Sequence, residues 1–212
     1  MRTIRYGVAE SLDGYIAGPN GEADWITLDP EVNFAEIWAQ FDTLFMGRRT
    51  YEAAIQRLGE AAFIGITSVV FSRTLKQDQH PRVKVVPELT REWVGSLKAQ
   101  NGKDVWLMGG SSLFRSFLDS GYVDRIDVAV IPVLLGAGVP LLPPPYSPTK
   151  LKLLSNRVYR SGSCRWPMKC STSHCPSHRG LSQMSEIRIY HQSCGTVRRA
   201  AISRERVSQS VP

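Results

Sequence analysis

Several common signatures are absent from this chain of 212 residues. No stretch approaches the roughly 18 unbroken apolar residues of a spanning helix, so no membrane association is expected. The opening, MRTIRYGVAESLDGY, lacks the apolar core of a secretion signal, and a cytoplasmic location is expected. There is neither a GxGxxG fingerprint nor a GxxxxGK[ST] phosphate loop. No internal repeat is visible.

Surplus charge is also missing from most of the chain. The net charge is +7, but Ser163–Pro212 holds eight Lys/Arg against two acidic residues. Residues 1–162 then carry 18 basic and 17 acidic groups, nearly balanced. A nucleic-acid enzyme needs its basic surface on the folded body, so nucleic acid is not an expected partner. All four cysteines (Cys164, Cys170, Cys175, Cys194) and three of the four histidines also fall after residue 162. These shifts place a boundary near Gly162. Cys170, His174, Cys175 and His178 are zinc-capable types, but their spacing fits no structural zinc pattern, and no metal is expected.

What remains ahead of the boundary alternates between two periods. Short apolar runs read as strands at Ile4–Val8, Thr43–Met46, Thr67–Phe71, Val83–Val86, Val105–Leu107 and Ile126–Ile131. Amphipathic runs lie between several of them. Asp29 suits a cap and Pro30 a first helical turn, with Phe34, Ile37, Trp38 and Phe41 on one face. Tyr51, Ala54, Ile55 and Leu58 share a face of a second helix that Gly59 can end. Thr90 caps a third, carrying Trp93, Val94 and Leu97. Phe114, Phe117 and Leu118 outline a fourth, stopped at Gly121. Alternating strands and helices predict an α/β fold with a mainly parallel sheet.

Ligands of such sheets bind beyond the carboxyl ends of the strands. Three predicted strand ends deliver similar residues: Gly47-Arg48-Arg49-Thr50, Ser72-Arg73-Thr74 and Gly109-Gly110-Ser111-Ser112. The first and third open helices, whose free N–H groups and positive dipole ends suit phosphate. Glycine lets the backbone approach it, and arginine adds forked donors. Two helix starts plus arginines fit a pyrophosphate and one further phosphate, as in NADPH. Taken singly, each turn is usually an ordinary turn; their placement at successive strand ends carries the reading. The loop AESLDGYIAGPNGEADW reads either as a hairpin with a long loop or as a substrate loop. In the second case Asp13 offers a carboxylate and Trp25 a flat face to a heterocycle.

The segments SLDGYIAGPNGEADW, FMGRRTYE, VVFSRTL, VWLMGGSSLFRSFLDSGYVDRIDVAVIPVLLGAGVPLL and LKLLSNRVYRSG occur in this order between about Arg2 and Gly162. Together they resemble the dihydrofolate reductase-like superfamily, closest to the reductase domain of the bacterial bifunctional riboflavin-biosynthesis deaminase–reductase and its stand-alone relatives. The resemblance implies an NADPH-dependent reductase on a mixed, mainly parallel sheet flanked by helices. It assigns cofactor phosphates to Gly47, Arg48 and Thr50, and the adenosine phosphate to Ser72 and Arg73. It assigns pyrophosphate and nicotinamide ribose to Gly109, Gly110, Ser111 and Ser112, across a Gly-Gly bond that is often cis. Asp13 would contact substrate and act in catalysis, with Trp25 walling the pocket. A homodimer is expected, since the family often pairs through its sheet.

The resemblance also has departures. No deaminase segment with its zinc motif precedes this domain, so a stand-alone reductase is expected. Folate reductases carry a carboxylate on the helix after the tryptophan; Asp29 and Glu31 are nearest, and neither aligns cleanly. The expected reaction is hydride transfer to a small heterocyclic or ribosyl substrate, as in reduction of 5-amino-6-(5-phosphoribosylamino)uracil. Its rivals are a dihydrofolate reductase-like activity, a non-catalytic dinucleotide-binding protein and an inactive truncated remnant.

Relatives continue with one more alternating strand, where this chain reads SCRWPMKCSTSHCPSHRG. The codons of Cys164–Cys170, read in a neighbouring frame, permit Val-Ser-Leu-Ala-Tyr-Glu-Val, which alternates as a strand should. Residues 163–212 are therefore expected to be an out-of-frame or otherwise non-homologous basic tail, mostly disordered, the alternative being a genuine lineage-specific basic extension that binds an acidic partner. The sheet would lack an edge partner beside Leu151–Tyr159.

Overall fold

The computed structural model describes residues 1–171. In chain order these form β1 (Ile4–Ser11), β2 (Tyr15–Ala17), α1 (Phe34–Trp38), β3 (Phe41–Gly47), α2 (Arg48–Leu58), β4 (Thr67–Phe71) and β5 (Lys84–Val86). There follow α3 (Arg91–Ala99), β6 (Asp104–Gly109), α4 (Ser111–Asp119), β7 (Arg125–Ile131), β8 (Val139–Pro140), β9 (Leu151–Leu153), β10 (Arg157–Val158) and β11 (Cys164–Cys170). Six parallel strands lie in the order β7-β1-β6-β3-β4-β5. Antiparallel β11 joins β7, with β9 and β10 on its outer side. This is the mixed, mainly parallel sheet that the alternating periods predict.

Period 2 along the strands sorts side chains to the two faces. Ile4 and Tyr6 of β1, Val105 and Leu107 of β6, and Val128 of β7 pack with Val94 of α3 and with Phe114 and Phe117 of α4. On the other face, Leu44 and Met46 of β3 and Val70 of β4 pack with Tyr51 of α2. Helices thus cover both faces, as a parallel sheet requires. Local signals set the helix limits. Thr90 accepts from the Trp93 amide at 3.2 Å, and Gly59 ends α2 at φ 70°.

Two expectations are corrected. The helix foreseen from Asp29 to Phe41 shrinks to the five residues of α1, capped by Asn33, whose side chain accepts from the Glu36 amide. Asp29 instead accepts from the amides of Glu31 (2.8 Å) and Ser161 (2.9 Å), which ties it to the chain before β11. Phe41 leaves the helix pattern because it opens β3, in register with Asp104.

The second correction concerns the edge strand. Cys164–Cys170 is not lost from the sheet; it pairs with β7 from Lys169↔Arg125 to Cys164↔Val130. CRWPMKC alternates in its own right, with Met168 and Cys170 packed on the α3/α4 core. Pro167 lacks a donor, yet its carbonyl accepts from Leu154 at 2.9 Å. The N–H and C=O of one strand residue point the same way, so the missing donor faces outward and not toward β7. Residues 172–212 of the expected tail lie outside the described residues.

The role of β11 has a direct test. A chain ended at Ser163 exposes the backbone groups of β7 and should aggregate and lose cooperative unfolding. One ended at Ser171 should keep both properties, as read by urea denaturation and light scattering.

Candidate functional site

The parallel order brings the predicted strand ends into one row. β6, β3 and β4 are neighbours, with Met46 paired to Gly109 and Gly47 to Phe71. Their turns therefore sit one strand spacing apart, about 5 Å. The bond between Gly109 and Gly110 is cis, and Gly109 has φ 115°. Neither Gly47 nor Gly110 provides a side-chain cap, so α2 and α4 begin with unpaired N–H groups side by side. The two turns abut: a Cβ on Gly110 would lie 3.6 Å from Thr50 Oγ1, and one on Gly47 would lie 3.8 Å from the Gly110 nitrogen.

The side chains of the row are less uniform. Arg48 pairs with Glu52 one helical turn on, at 2.8 Å, and both are exposed. Arg73 is exposed, with no ion pair among the described residues. Ser72 is turned inward; its hydroxyl accepts from the Thr74 and Leu75 amides at 3.2 and 3.1 Å, which shapes the turn that presents Arg73. Ser111 is buried in the first turn of α4, and Ser112 is exposed beside it.

A cavity of about 230 Å³ lies against β1 and β7, on the sheet face opposite α4, and none of the turn residues lines it. Its back wall is Gly7 and Ala9 of β1 with Ala129 and Ile131 of β7. Ile26, Leu28, Asp29 and Val32 close it from the connection before α1, and Phe34, Ile37 and Phe41 from α1 and β3. Trp106 of β6 donates its Nε1 hydrogen to the Gly7 carbonyl at 3.0 Å. A Cβ at Gly7 would lie 2.6 Å from that nitrogen, so only glycine admits the ring. Trp106 in turn holds Trp38 of α1, with ring centres 4.8 Å apart.

At the cavity floor Arg5, 3% exposed, donates Nε and Nη2 hydrogens to Asp127 Oδ2 at 2.9 and 2.7 Å. Its Nη1 reaches Gln40 (2.7 Å) and Asp104 (3.2 Å). Asp29, 5% exposed, stands in the wall. The Ser161 hydroxyl, followed by the Glu31 and Ser161 amides, holds its carboxyl below the usual aspartate range. Glu31 points elsewhere, to Arg160 at 2.9 Å.

The two loop residues expected to meet substrate lie near the cavity without lining it. Asp13 is exposed, and its carboxylate accepts from the Ser11 hydroxyl (2.6 Å) and from the amides of Leu135 (3.1 Å) and Gly136 (2.7 Å). These bonds, the hydroxyl foremost, hold its carboxyl below the usual range. It ties the loop after β7 to the end of β1. Trp25 donates to the Glu22 carbonyl at 3.1 Å, and its successors Ile26–Asp29 form the wall.

The family described as the RibD C-terminal domain matches residues 2–164. The chain belongs to that family. It is 33% identical over 173 residues to the uncharacterized protein YyaP of Bacillus subtilis (strain 168), covering 76% of this chain and 92% of that protein. YwjB of the same organism, also uncharacterized, is 30% identical over 161 residues, covering 74% and 92%. Among solved structures, a putative riboflavin biosynthesis protein from Shewanella sp. PV-4 superposes with a TM-score of 0.69 at 24% identity, over 80% of this chain and 99% of that one. The deaminase/5-amino-6-(5-phosphoribosylamino)uracil reductase of Thermotoga maritima gives 0.59 at 18% identity, over 80% of this chain and 57% of that one. The RibD-type reductase fold is thereby established, consistent with the dihydrofolate reductase-like superfamily.

Membership in the RibD C-terminal domain family did not reveal the cavity residues, and neither did the sequence motifs. Arg5, Gly7, Trp106 and Asp127 carried no flag, although Arg5-x-Gly7-x-Ala9 places one charge and two small residues on a single strand face. Among the described residues, no helix is long and apolar enough to cross a membrane, and no cluster of three or more His, Cys, Asp or Glu could hold a metal. His174, Cys175 and His178 lie outside the described residues.

Two outcomes follow from this geometry. Gly7→Val should displace Trp106, cost about 1–3 kcal/mol of stability, and change the near-UV circular dichroism. Asp13 should protect the Leu135 and Gly136 amides from exchange. Because its carboxyl is depressed in the folded state, that protection is complete above the ordinary aspartate range and is lost as pH falls through the depressed value. Exchange corrected for intrinsic rates, in wild type and in Asp13→Ala, reads this directly; protection that survives in the variant refutes the tie.

Proposed function

We propose that this protein is a reductase that binds NADPH along the row of strand-end turns and reduces a small heterocyclic or ribosyl substrate held in the adjoining cavity. The observation that carries the proposal is that two uncapped helix starts at the ends of β3 and β6 share one sheet with an apolar cavity backed by β1 and β7, the next strands in order. The residues present fit the cofactor. The amides at the starts of α2 and α4, with Thr50 at their junction, would hold the pyrophosphate. Arg73 and Arg48 would take the extra phosphate of NADPH. The Arg48–Glu52 pair does not stand in the way, since an exposed pair of this spacing is worth only about 0.3–0.5 kcal/mol. A charge-assisted phosphate contact is worth about 1.5–3 kcal/mol.

Bound NADPH supplies the hydride. The chain's own residues position the acceptor and keep water away. Ala9 and Ala129 leave the back wall low enough for a flat ring to lie against the sheet, and the apolar wall from α1 excludes solvent. Asp29, kept ionised by its hydrogen bonds, would accept from the N–H groups of a heterocycle. Arg5 and Arg125 together balance Asp127 and Asp104, which leaves no net charge at the floor. Arg165 of β11, on the cavity wall, offers a cation to a substrate bearing phosphate. Asp13 contributes by fixing the loop after β7. The aminouracil ribosyl compound named for the Thermotoga relative is the first substrate to test.

Fluorescence titration should give tighter binding of NADPH than of NADH, with Arg73→Ala weakening NADPH by about 1.5–3 kcal/mol and leaving NADH nearly unchanged. Steady NADPH oxidation is expected with the aminouracil ribosyl substrate or a member of a heterocycle panel. Equal affinity for the two cofactors would overturn the phosphate assignment, and binding without turnover across the panel would favour a dinucleotide-binding protein that does no chemistry.

A further inference from the structure

Tyr6 is fully buried, and its hydroxyl has no hydrogen-bond partner. A buried hydroxyl without a partner is costly, so such a group calls for an explanation. Packing does not supply one. The ring stacks on Phe114 with centres 3.7 Å apart and planes 7° off parallel, and a phenylalanine would make the same stack without the penalty.

The position of the ring is informative. Tyr6 pairs in register with Leu107, but its Cε2 lies 3.8 Å from where a Cβ on Gly109 would be, two residues further along β6. The ring therefore leans toward the carboxyl ends of the strands. Glu10, four residues on along β1 and on the same face, is half-buried with its carboxyl raised by burial, and its charge reaches the Tyr6 phenol. The Tyr6 ring thus sits beneath the Gly109–Gly110 turn, with Glu10 further along the same strand face.

The row of turns has a direction. Arg73 at β4 marks the end that takes the extra phosphate, and the paired helix starts at β3 and β6 mark the middle. The next strand in the order is β1, which also backs the cavity. A dinucleotide laid along the row brings its nicotinamide end to β1. We infer that Tyr6 is a cofactor-binding residue whose hydroxyl donates a hydrogen bond to an oxygen at the nicotinamide-ribose end of NADPH. This rests on the proposed NADPH reading.

The test uses the full chain and two probes, NADPH and adenosine 2′,5′-bisphosphate, which lacks the nicotinamide half. Tyr6→Phe should raise the Kd of NADPH by about three- to tenfold, the value of one neutral hydrogen bond, and leave the bisphosphate Kd unchanged. The ligand-free melting temperature should hold or rise, because no bond is lost. Unchanged NADPH affinity in the variant overturns the inference and leaves the NADPH reading standing, and so does equal weakening of both probes. A variant that melts lower or fails to fold shows that the hydroxyl has a structural partner, which also overturns it. A wild-type chain that binds neither probe overturns the inference and the reading together.

Discussion

The guanidinium of Arg5 is the point on which the cavity side of the molecule depends. It is a charge held almost wholly out of water in the middle of a central strand. Such a charge must be paired on every side, and its partners come from three places: Asp127 on β7, Asp104 at the start of β6, and Gln40 just after α1. Phe41 lies against it as well, with the guanidinium carbon 4.7 Å from the ring centre. One side chain thus fixes the register of three strands and the place where α1 must end. A buried pair of this kind adds little net stability over a hydrophobic replacement, but removing one member costs about 3–5 kcal/mol. Its value here is geometric. It holds the floor of the cavity at fixed depth while presenting no net charge to whatever occupies it.

Above that floor the two halves of the site are built by different means. The proposed cofactor side is backbone: uncapped helix starts and glycines at strand ends, where position follows from the parallel order of the sheet. The cavity side is side-chain packing: Trp106 against Gly7, Trp38 against Trp106, and Asp29 fastened to Ser161. The first kind of site is legible in a sequence because glycine and arginine at strand ends have few other reasons to recur. The second kind is not, because its parts lie 99 residues apart in the chain for the Gly7–Trp106 contact alone. A lone glycine in a strand says that something comes close, but not what.

The same distinction explains what the sequence reading missed. The six parallel strands and three of the helices were legible because their periods are clean and their caps are local. Asp29 followed by Pro30 carries every local mark of a helix start, yet the carboxylate is used by a residue 132 positions away, and tertiary contact overrode the cap. At β11 a change of composition drew more weight than periodicity. Arginine, lysine and cysteine suggested a tail, although apolar residues still fell on alternate positions. Pro167 reinforced that impression, and only the sheet reveals that its absent donor points away from β7.

The central place of β1 also constrains how the protein is made. Its neighbours are β6, reached at Val105, and β7, reached at Arg125. β1 is therefore flanked only after roughly a hundred further residues have been added to the growing chain. At about 5–20 residues per second, that interval lasts on the order of 5–25 s. During it Ile4, Tyr6 and Val8 have no sheet to enter, and closing the centre of the fold demands contacts of high sequence separation, which form slowly. The segment that carries the cavity wall and the unpaired phenol is thus enclosed long after it is synthesised.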